Sequence, residues 1–404
     1  MSGTKYWVWL SECKRLPARV KLRLLDHFGT PENIYYAEED DYLQAEGMTR
    51  TLAAQLADKS TAAADRILGD CERLDVRILT MQDADYPVRL RNIYEPPCLL
   101  YVKGHLPVID EEVAIAMVGT RDATPYGVKT AETLAYEMAK QGALIVSGGA
   151  YGIDSAAHRG ALRAGAKTIA LLGGGIDVVY PKGNEQLYRD IAASGALVSE
   201  YPPGTPAAGS HFPVRNRIIS GLCLATVVIE APERSGALIT ARTALEQGRD
   251  VFAVPGPINA KESRGCHRLV ANGEAALAAD SSDILWEYEA RYPHKLRCGR
   301  VELPRTTLGY QARQQEKTAQ QAPEPEPQKR PALDVRAGST ALTDDQVRIV
   351  KELKNGAMQV DDLIEAAQLP TRRVLSALTV LEIEGHVAQE SGKRFSLNVD
   401  LIEE

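Results

Sequence analysis

Four glycine-rich segments carry most of the chemistry in this sequence. They are GTRDATPYG from Gly119, SGGAYGIDSAAH from Ser147, GGGIDVVYPKGN from Gly173 and EAPERSGALITA from Glu230. Glycines let backbone N–H groups approach a phosphate closely, and a helix that starts there adds positive partial charge. The candidate anion contacts are Gly119, Thr120 and Arg121 in the first segment and Ser147, Gly148 and Gly149 in the second. Lys182 and Asn184 follow in the third, and Ser235 and Gly236 in the fourth. Arg215, Asn216 and Arg217 lie in HFPVRNRIISGL, and Arg242 lies in the helical stretch after Gly236. Phe212, Tyr151 and Tyr180 place flat rings near these cations in sequence. Positive charge interleaved with aromatics suits single-stranded nucleic acid, whose backbone follows charge and whose bases stack on rings. Asp154, Asp177 and Glu230 share these loops and offer partners to some of the cations. Asp154 also stands near a helix start, where it reads as a cap.

Other chemistries lack their residues. Gly119-Thr120-Arg121 has no second glycine until Gly127, so no G-x-G-x-x-G turn is present, and there is no G-x-x-x-x-G-K-[ST] loop. A dinucleotide or nucleoside triphosphate cofactor is therefore not expected. Arg121 instead meets a phosphate with its own guanidinium, in a fork of charged hydrogen bonds. His158 and Asp154 are four apart on one helix and form no triad. There is no G-x-S-x-G elbow, H-E-x-x-H or convincing carboxylate pair, so no catalytic role is expected. The six cysteines at 13, 71, 98, 223, 266 and 298 form no CxxC or Cys/His cluster. They read as small buried hydrophobes, with neither zinc nor disulfides.

The elements that must hold these turns follow from hydrophobic patterning. Six apolar runs recur: VAIAMVG, ALIVSGG, KTIALLGGG, ALVSEY, ATVVIEA and DVFAVPG. They are continuous rather than alternating, as for strands buried on both faces. Segments of helical length separate most of them. In one, Val128, Ala131, Leu134, Ala135 and Met138 form a single stripe. Strand–helix–strand order predicts an α/β, Rossmann-like parallel sheet, with ligands at the carboxyl ends of its strands. This core is expected over residues 81–290. Residues 1–80 predict short helices separated by glycine turns, a SAM or helix-hairpin-helix-like module. Residues 291–340, rich in Gln, Glu and Pro in their second half, predict a flexible linker. Residues 341–404 predict a winged helix. Its three helices are a first from Thr343-Asp344, a second over DDLIEAAQL and a third capped by Thr371. That third helix turns Val374, Leu375, Leu378 and Leu381 inward, and two strands follow around Ser391-Gly392. The chain of 404 residues has 54 acidic and 47 basic side chains, for a net charge of −7. That excludes a strongly basic polyanion-coating protein and leaves room for a local basic patch. No run is long enough for a membrane span or a signal segment, so a cytoplasmic protein is expected.

The segments VGTRDATPYG, SGGAYGIDSAAHRGAL, LLGGGIDVVYPKGN, SEYPPGTPAAGSHFPVRNRIISGL and VVIEAPERSGALITARTALEQGRDVFAVPG occur in this order. Together they resemble the DNA-processing protein A (DprA, or Smf) family over residues 81–290. The resemblance implies a single-stranded DNA-binding protein that loads RecA recombinase and protects incoming strands during natural transformation. It implies displacement of single-strand-binding protein, homodimers formed through the Rossmann-like domain, and no enzymatic activity. The family's Gly-Ser/Thr-Arg motif falls on Gly119, Thr120 and Arg121, and its second basic position on Lys182. A rival from the same superfamily is a nucleotide phosphoribohydrolase with a PGGxGTxxE motif. The segment APERSGALITARTALEQG is distantly similar and has a downstream Glu246, but it lacks the PGG and the GT.

Overall fold

The computed structural model describes residues 2–297, 332–335, 342–390 and 394–402. The chain forms two compact units, Met1–Pro304 and Arg305–Glu404. The expected boundary at residue 80 falls inside the first unit, which opens with six helices. These are α1 (Ser2–Glu12), α2 (Ala18–Phe28), α3 (Pro31–Tyr36), α4 (Glu39–Tyr42), α5 (Arg50–Ala53) and α6 (Ala62–Arg73). Nine strands then build one sheet: β1 (Arg77–Thr80), β2 (Leu99–Gly104), β3 (Ala114–Val118), β4 (Leu144–Ser147), β5 (Thr168–Leu172), β6 (Ala196–Ser199), β7 (Ala225–Val228), β8 (Asp250–Ala253) and β9 (Ala276–Leu277). The helices among and after them are α7 (Val88–Arg91), α8 (Pro125–Lys140), α9 (Ile153–Arg163), α10 (Glu185–Ser194), α11 (His211–Leu222), α12 (Gly236–Glu246), α13 (Arg264–Ala271) and α14 (Ser281–Glu289).

All six apolar runs are strands, and their order in the sheet locates the ligand site. The order is β1-β2-β6-β5-β4-β3-β7-β8-β9. From β6 to β9 every neighbouring pair is parallel. The chain steps outward from β3 through β4 and β5 to β6, then returns to the other side of β3 as β7. This reversal leaves a crevice beyond the carboxyl ends of β3 and β7, the usual ligand position in such sheets. β2 joins β6 antiparallel, and β1 joins β2 antiparallel. These two strands, and β9 at the opposite edge, were not among the predicted runs.

Burial on both faces explains the unbroken apolar runs. Ile115, Met117, Ile145, Val227 and Phe252 pack with α8, α9 and α14 on one face. Ala116, Val118, Val146 and Val228 pack with α11, α12 and α13 on the other. The predicted stripe on α8 is buried at Ala131, Leu134, Ala135 and Met138. A third cluster joins the N-terminal helices to Leu99, Tyr101, Leu172 and Leu197 of the sheet and to Leu187 and Ile191 of α10. The N-terminal helices are thus one body with the sheet.

The second unit contains helices Asp344–Glu352, Val360–Ala367 and Thr371–Ile383 and a three-stranded antiparallel sheet. The pairing of Val387–Glu390 with Arg394–Leu397 completes the winged helix. Thr343 and Gln346 form a capping box at the first helix. Two expectations change here. Pro370, not Thr371, occupies the cap position of the third helix. Leu375 faces outward and is exposed, because only Val374, Ala377, Leu378 and Leu381 fall on the packed face. The Ser391-Gly392 turn and most of the expected linker, 298–331 and 336–340, lie outside the described residues. The linker's expected start at 291 is too early. Leu296 is buried against the α8–α14 face, and the Arg297 N–H donates to the Gln141 carbonyl at 2.8 Å.

This packing makes a prediction. Leu296→Ala should destabilise the first unit by about 2–4 kcal/mol, as for other core truncations. Urea unfolding followed by tryptophan fluorescence checks it, since Trp7, Trp9 and Trp286 all lie in that unit. A loss under about 1 kcal/mol would show that the segment after α14 is dispensable.

Candidate nucleic-acid interface

The crevice predicted by the strand order is a cavity of about 520 Å³. Val118 and Gly119–Asp122 line it from the end of β3, and Ser235, Gly236 and Thr240 from the start of α12. Tyr180, Ala207, Gly209, Phe212, Arg215 and Asn216 complete its wall. The backbone at Gly119 is crowded: a Cβ there would lie 2.8 Å from the Ile153 Cβ and 2.9 Å from the Glu230 carbonyl. The next N–H, at Thr120, donates to that same carbonyl at 2.8 Å. The loop is pinned by its backbone, and Arg121 projects from it, exposed.

Aromatic and cationic groups stack at the mouth. The Arg121 guanidinium lies 4.8 Å from the centre of the Phe212 ring, and Arg215 lies 5.8 Å from it. The Tyr180 ring is 5.5 Å from Phe212 and is itself 45% exposed. Ser235 caps α12, its hydroxyl accepting from the Ala237 N–H at 3.3 Å. The first N–H groups of such a helix have no carbonyl four residues back and are available to an acceptor.

Beneath this surface Arg215 and Asp154 face each other across Gly148. Arg215 is 4% exposed and Asp154 8%. Arg215 Nη1 donates to the Gly148 carbonyl at 2.8 Å and also to the Leu171 carbonyl. Asp154 accepts from the Ala150 N–H at 3.3 Å. A Cβ on residue 148 would sit 2.6 Å from the guanidinium nitrogens and 2.7 Å from the carboxylate, so only glycine fits. Burial pushes the Asp154 carboxyl up, opposed by Arg215 and by the amides of Ala150 and Gly148. Burial likewise lowers Arg215, opposed by Asp154. Farther in, the Thr168 hydroxyl donates to the Ile145 carbonyl and so accepts from His158 Nδ1–H, at 2.8 Å each. Among the described residues, His158 Nε2 is buried without a partner. Burial, with Arg215 nearby, lowers this imidazole to about 3, so it is neutral at pH 7.

A family model for DNA recombination-mediator protein A matches residues 77–289. The chain belongs to that family. A model for the DprA winged helix domain matches residues 317–393. Protein Smf of Synechocystis sp. is 31% identical over 411 residues, covering 98% of each chain. The DNA processing protein DprA of Streptococcus pneumoniae is 46% identical over 207 residues, which cover 51% of this chain and 72% of that one. The X-ray structure of that pneumococcal protein aligns with a TM-score of 0.62 and 35% identity, over 70% of this chain and 97% of its own.

In this member of the recombination-mediator protein A family, the predicted contacts divide in three. Gly119, Thr120, Arg121, Arg215, Asn216, Ser235 and Gly236 are brought together around the cavity. Lys182 is exposed outside its lining, and so is Arg242 on α12. Others turn to structural work. Arg217 grips both carboxylate oxygens of Glu200 at 2.8 Å and donates to the Glu95 carbonyl, which leaves little for a strand. Asn184 is buried and donates to the Gly149 carbonyl and the Ser155 hydroxyl. Ser147 is buried and donates to the Met117 carbonyl at 2.6 Å. Gly148 and Gly149 are buried as well, so the second glycine turn supports the floor rather than meeting ligand. Arg215 reaches the cavity only from beneath. Asp154 does not cap α9 as expected: Gly152 holds the cap position, and the Asp154 carboxylate lies in the buried floor, accepting from the Ala150 N–H before the helix. The partnership of Glu200 with Arg217 and the wall formed by Ala207 and Gly209 were missed, since no spacing in the sequence signals them.

The buried imidazole gives a pH test. Between about pH 7 and pH 5 the unfolded chain takes up a proton at His158 and the native chain does not. Stability therefore falls with pH in this window, by about 2 kcal/mol from this residue. His158→Asn should lose less stability over the same change, measured by urea unfolding at the two pH values. An identical pH dependence in both proteins would contradict the neutral, buried state.

Proposed function

We propose that this chain binds single-stranded DNA in the crevice between the ends of β3 and β7, without enzymatic activity, and seeds RecA on it. The observation that carries this reading is the exposed Arg121 guanidinium stacked on Phe212 beside Tyr180 and the start of α12. A phosphate fits the charged and N–H donors, and a base fits the rings, without any group that reads sequence. Lys182 and Arg242, both exposed, are further cations open to the strand. A loader must leave room for its client, and the outer helices and sheet edges lie away from the crevice. Homodimers would double the strand contacts and raise avidity, and single-strand-binding protein is the natural competitor for the strand. The winged helix adds weak strand contacts rather than the main site: Arg373 is committed to Asp345 at 2.7 Å.

The hydrolase alternative loses its key residue. Glu246 lies at the exposed end of α12 and does not line the cavity. Incubation with nucleoside monophosphates should release no free base.

Arg121→Glu should weaken oligothymidylate binding by about tenfold to a hundredfold, the loss of a charged hydrogen bond plus repulsion. Its log–log salt slope should become shallower by about 0.7 for each phosphate that is no longer neutralised. Anisotropy across a salt series checks both, and unchanged binding by a folded variant would remove Arg121 from the site. A chain ending after Pro304 should retain most of this affinity.

The loader role predicts faster RecA ATP hydrolysis on strands already covered by single-strand-binding protein. No acceleration by a protein that binds the strand would leave protection alone.

A further inference from the structure

A second cavity, of about 300 Å³, lies between the first two helices and the loop after β6. Lys14 and Lys21 line it from the α1–α2 side, with Ser11 and Glu12. Lys21 is 8% exposed, and its ammonium donates to the Ser11 carbonyl at 2.6 Å. Among the described residues no carboxylate lies within ion-pair distance of it. A buried ammonium without a counter-charge is costly, and burial lowers its affinity for the proton. The single carbonyl uses one of its three donors.

The remaining charges do not cancel this one. Glu200 lines the cavity, but both of its oxygens are held by Arg217 at 2.8 Å. Glu12 pairs at 3.5 Å with the exposed Lys14. Burial pushes the Cys98 thiol up to about 11, so it stays neutral. His211 Nδ1 faces the Gly173 carbonyl at 3.1 Å, which can only accept, so that nitrogen carries a hydrogen. Two lysines therefore stand against one carboxylate, and Ser11 and Thr205 also line the cavity.

One loop walls both cavities. Glu200, Tyr201, Pro202, Thr205 and His211 face the second, and Ala207, Gly209 and Phe212 face the first. The Tyr201 and His211 rings stack at 4.2 Å, nearly parallel, next in sequence to Phe212. His211 is next in sequence to Phe212, and the Tyr201–His211 pair lines the same cavity as the two lysines.

We propose that the second cavity is a further phosphate subsite for the same single strand, with Lys14 and Lys21 as its cations and the Tyr201–His211 pair as the step from the crevice. This rests on the strand-binding reading of the crevice. It gives the N-terminal helices a direct part in binding.

The test compares oligothymidylates of about four and about twenty nucleotides, using the full chain and its Lys14→Gln, Lys21→Gln and Glu12→Gln variants. For the long strand, each lysine variant should flatten the salt slope by about 0.7. For the short strand, which the crevice alone accommodates, affinity should stay within about twofold of the parent chain. Glu12→Gln, which frees Lys14, should tighten only the long strand. Lys14 is exposed, so its variant stays informative even where Lys21→Gln disturbs α1. Three results would overturn the subsite. The long strand could be indifferent to the folded lysine variants. Both lengths could lose affinity equally, which marks distortion of the shared loop. Inorganic phosphate, exchanged for chloride at equal ionic strength, could stabilise the protein through Lys21 without competing with the long strand, which marks a site for a free anion. Failure of the unaltered chain to bind either strand would instead remove the crevice reading, and the subsite with it.

Discussion

The space above Gly148 is the constraint on which the crevice depends. Arg215 comes from α11 and Asp154 from α9, and each reaches the turn after β4. A guanidinium and a carboxylate buried together need hydrogen bonds for their remaining donors and acceptors, or desolvation outweighs their attraction. The Gly148 and Leu171 carbonyls and the Ala150 N–H supply them. Two helices and the ends of two strands are thereby tied at one point. Phe212 sits one turn before Arg215 on α11, so its ring is placed by the same anchor.

Burial sorts the arginines into two populations with different physics. Arg215 and Arg217 hold the fold, one on carbonyls and one on Glu200. Arg121 stays in solvent, where its charge is free to meet a ligand. A guanidinium is well suited to both tasks, because its five donors lie in a rigid plane and it stays charged even when buried. An acidic protein of net charge −7 can thus offer a cationic mouth. What matters for a polyanion is the local field at the crevice, not the total.

The sheet supports this arrangement by being covered on both sides. Helices on each face exclude water from β3 to β8, and the N-terminal helices extend that cover over β5, β6 and β2. Such packing is dense and resists deformation. Loops rooted in it are held by the fold itself, a preorganisation that lowers the ordering cost of binding in general. The same cover brings α1 and α2 against the loop after β6, so the two cavities share a wall.

By itself the sequence determined the elements and their class. Continuous apolar runs at Ala114–Val118, Leu144–Ser147 and Ala225–Val228 have one stable solution, a parallel sheet covered on both faces. Local signals also marked the glycine turns, the winged-helix order and Arg121, because strand burial, helix capping and turn conformation act over a few residues. Tertiary structure decided which polar residues meet. Arg217 finds Glu200 seventeen residues away and Glu95 much farther off, and Arg215 finds Gly148 across 67 residues. Nothing in residue type or spacing separates those arginines from Arg121. Only their burial does, and burial depends on how α11 packs on the sheet. The strands β1 and β2 escaped notice for a related reason. β2 pairs antiparallel with both β6 and β1, and their place is set by the N-terminal helices that pack on them rather than by their own pattern.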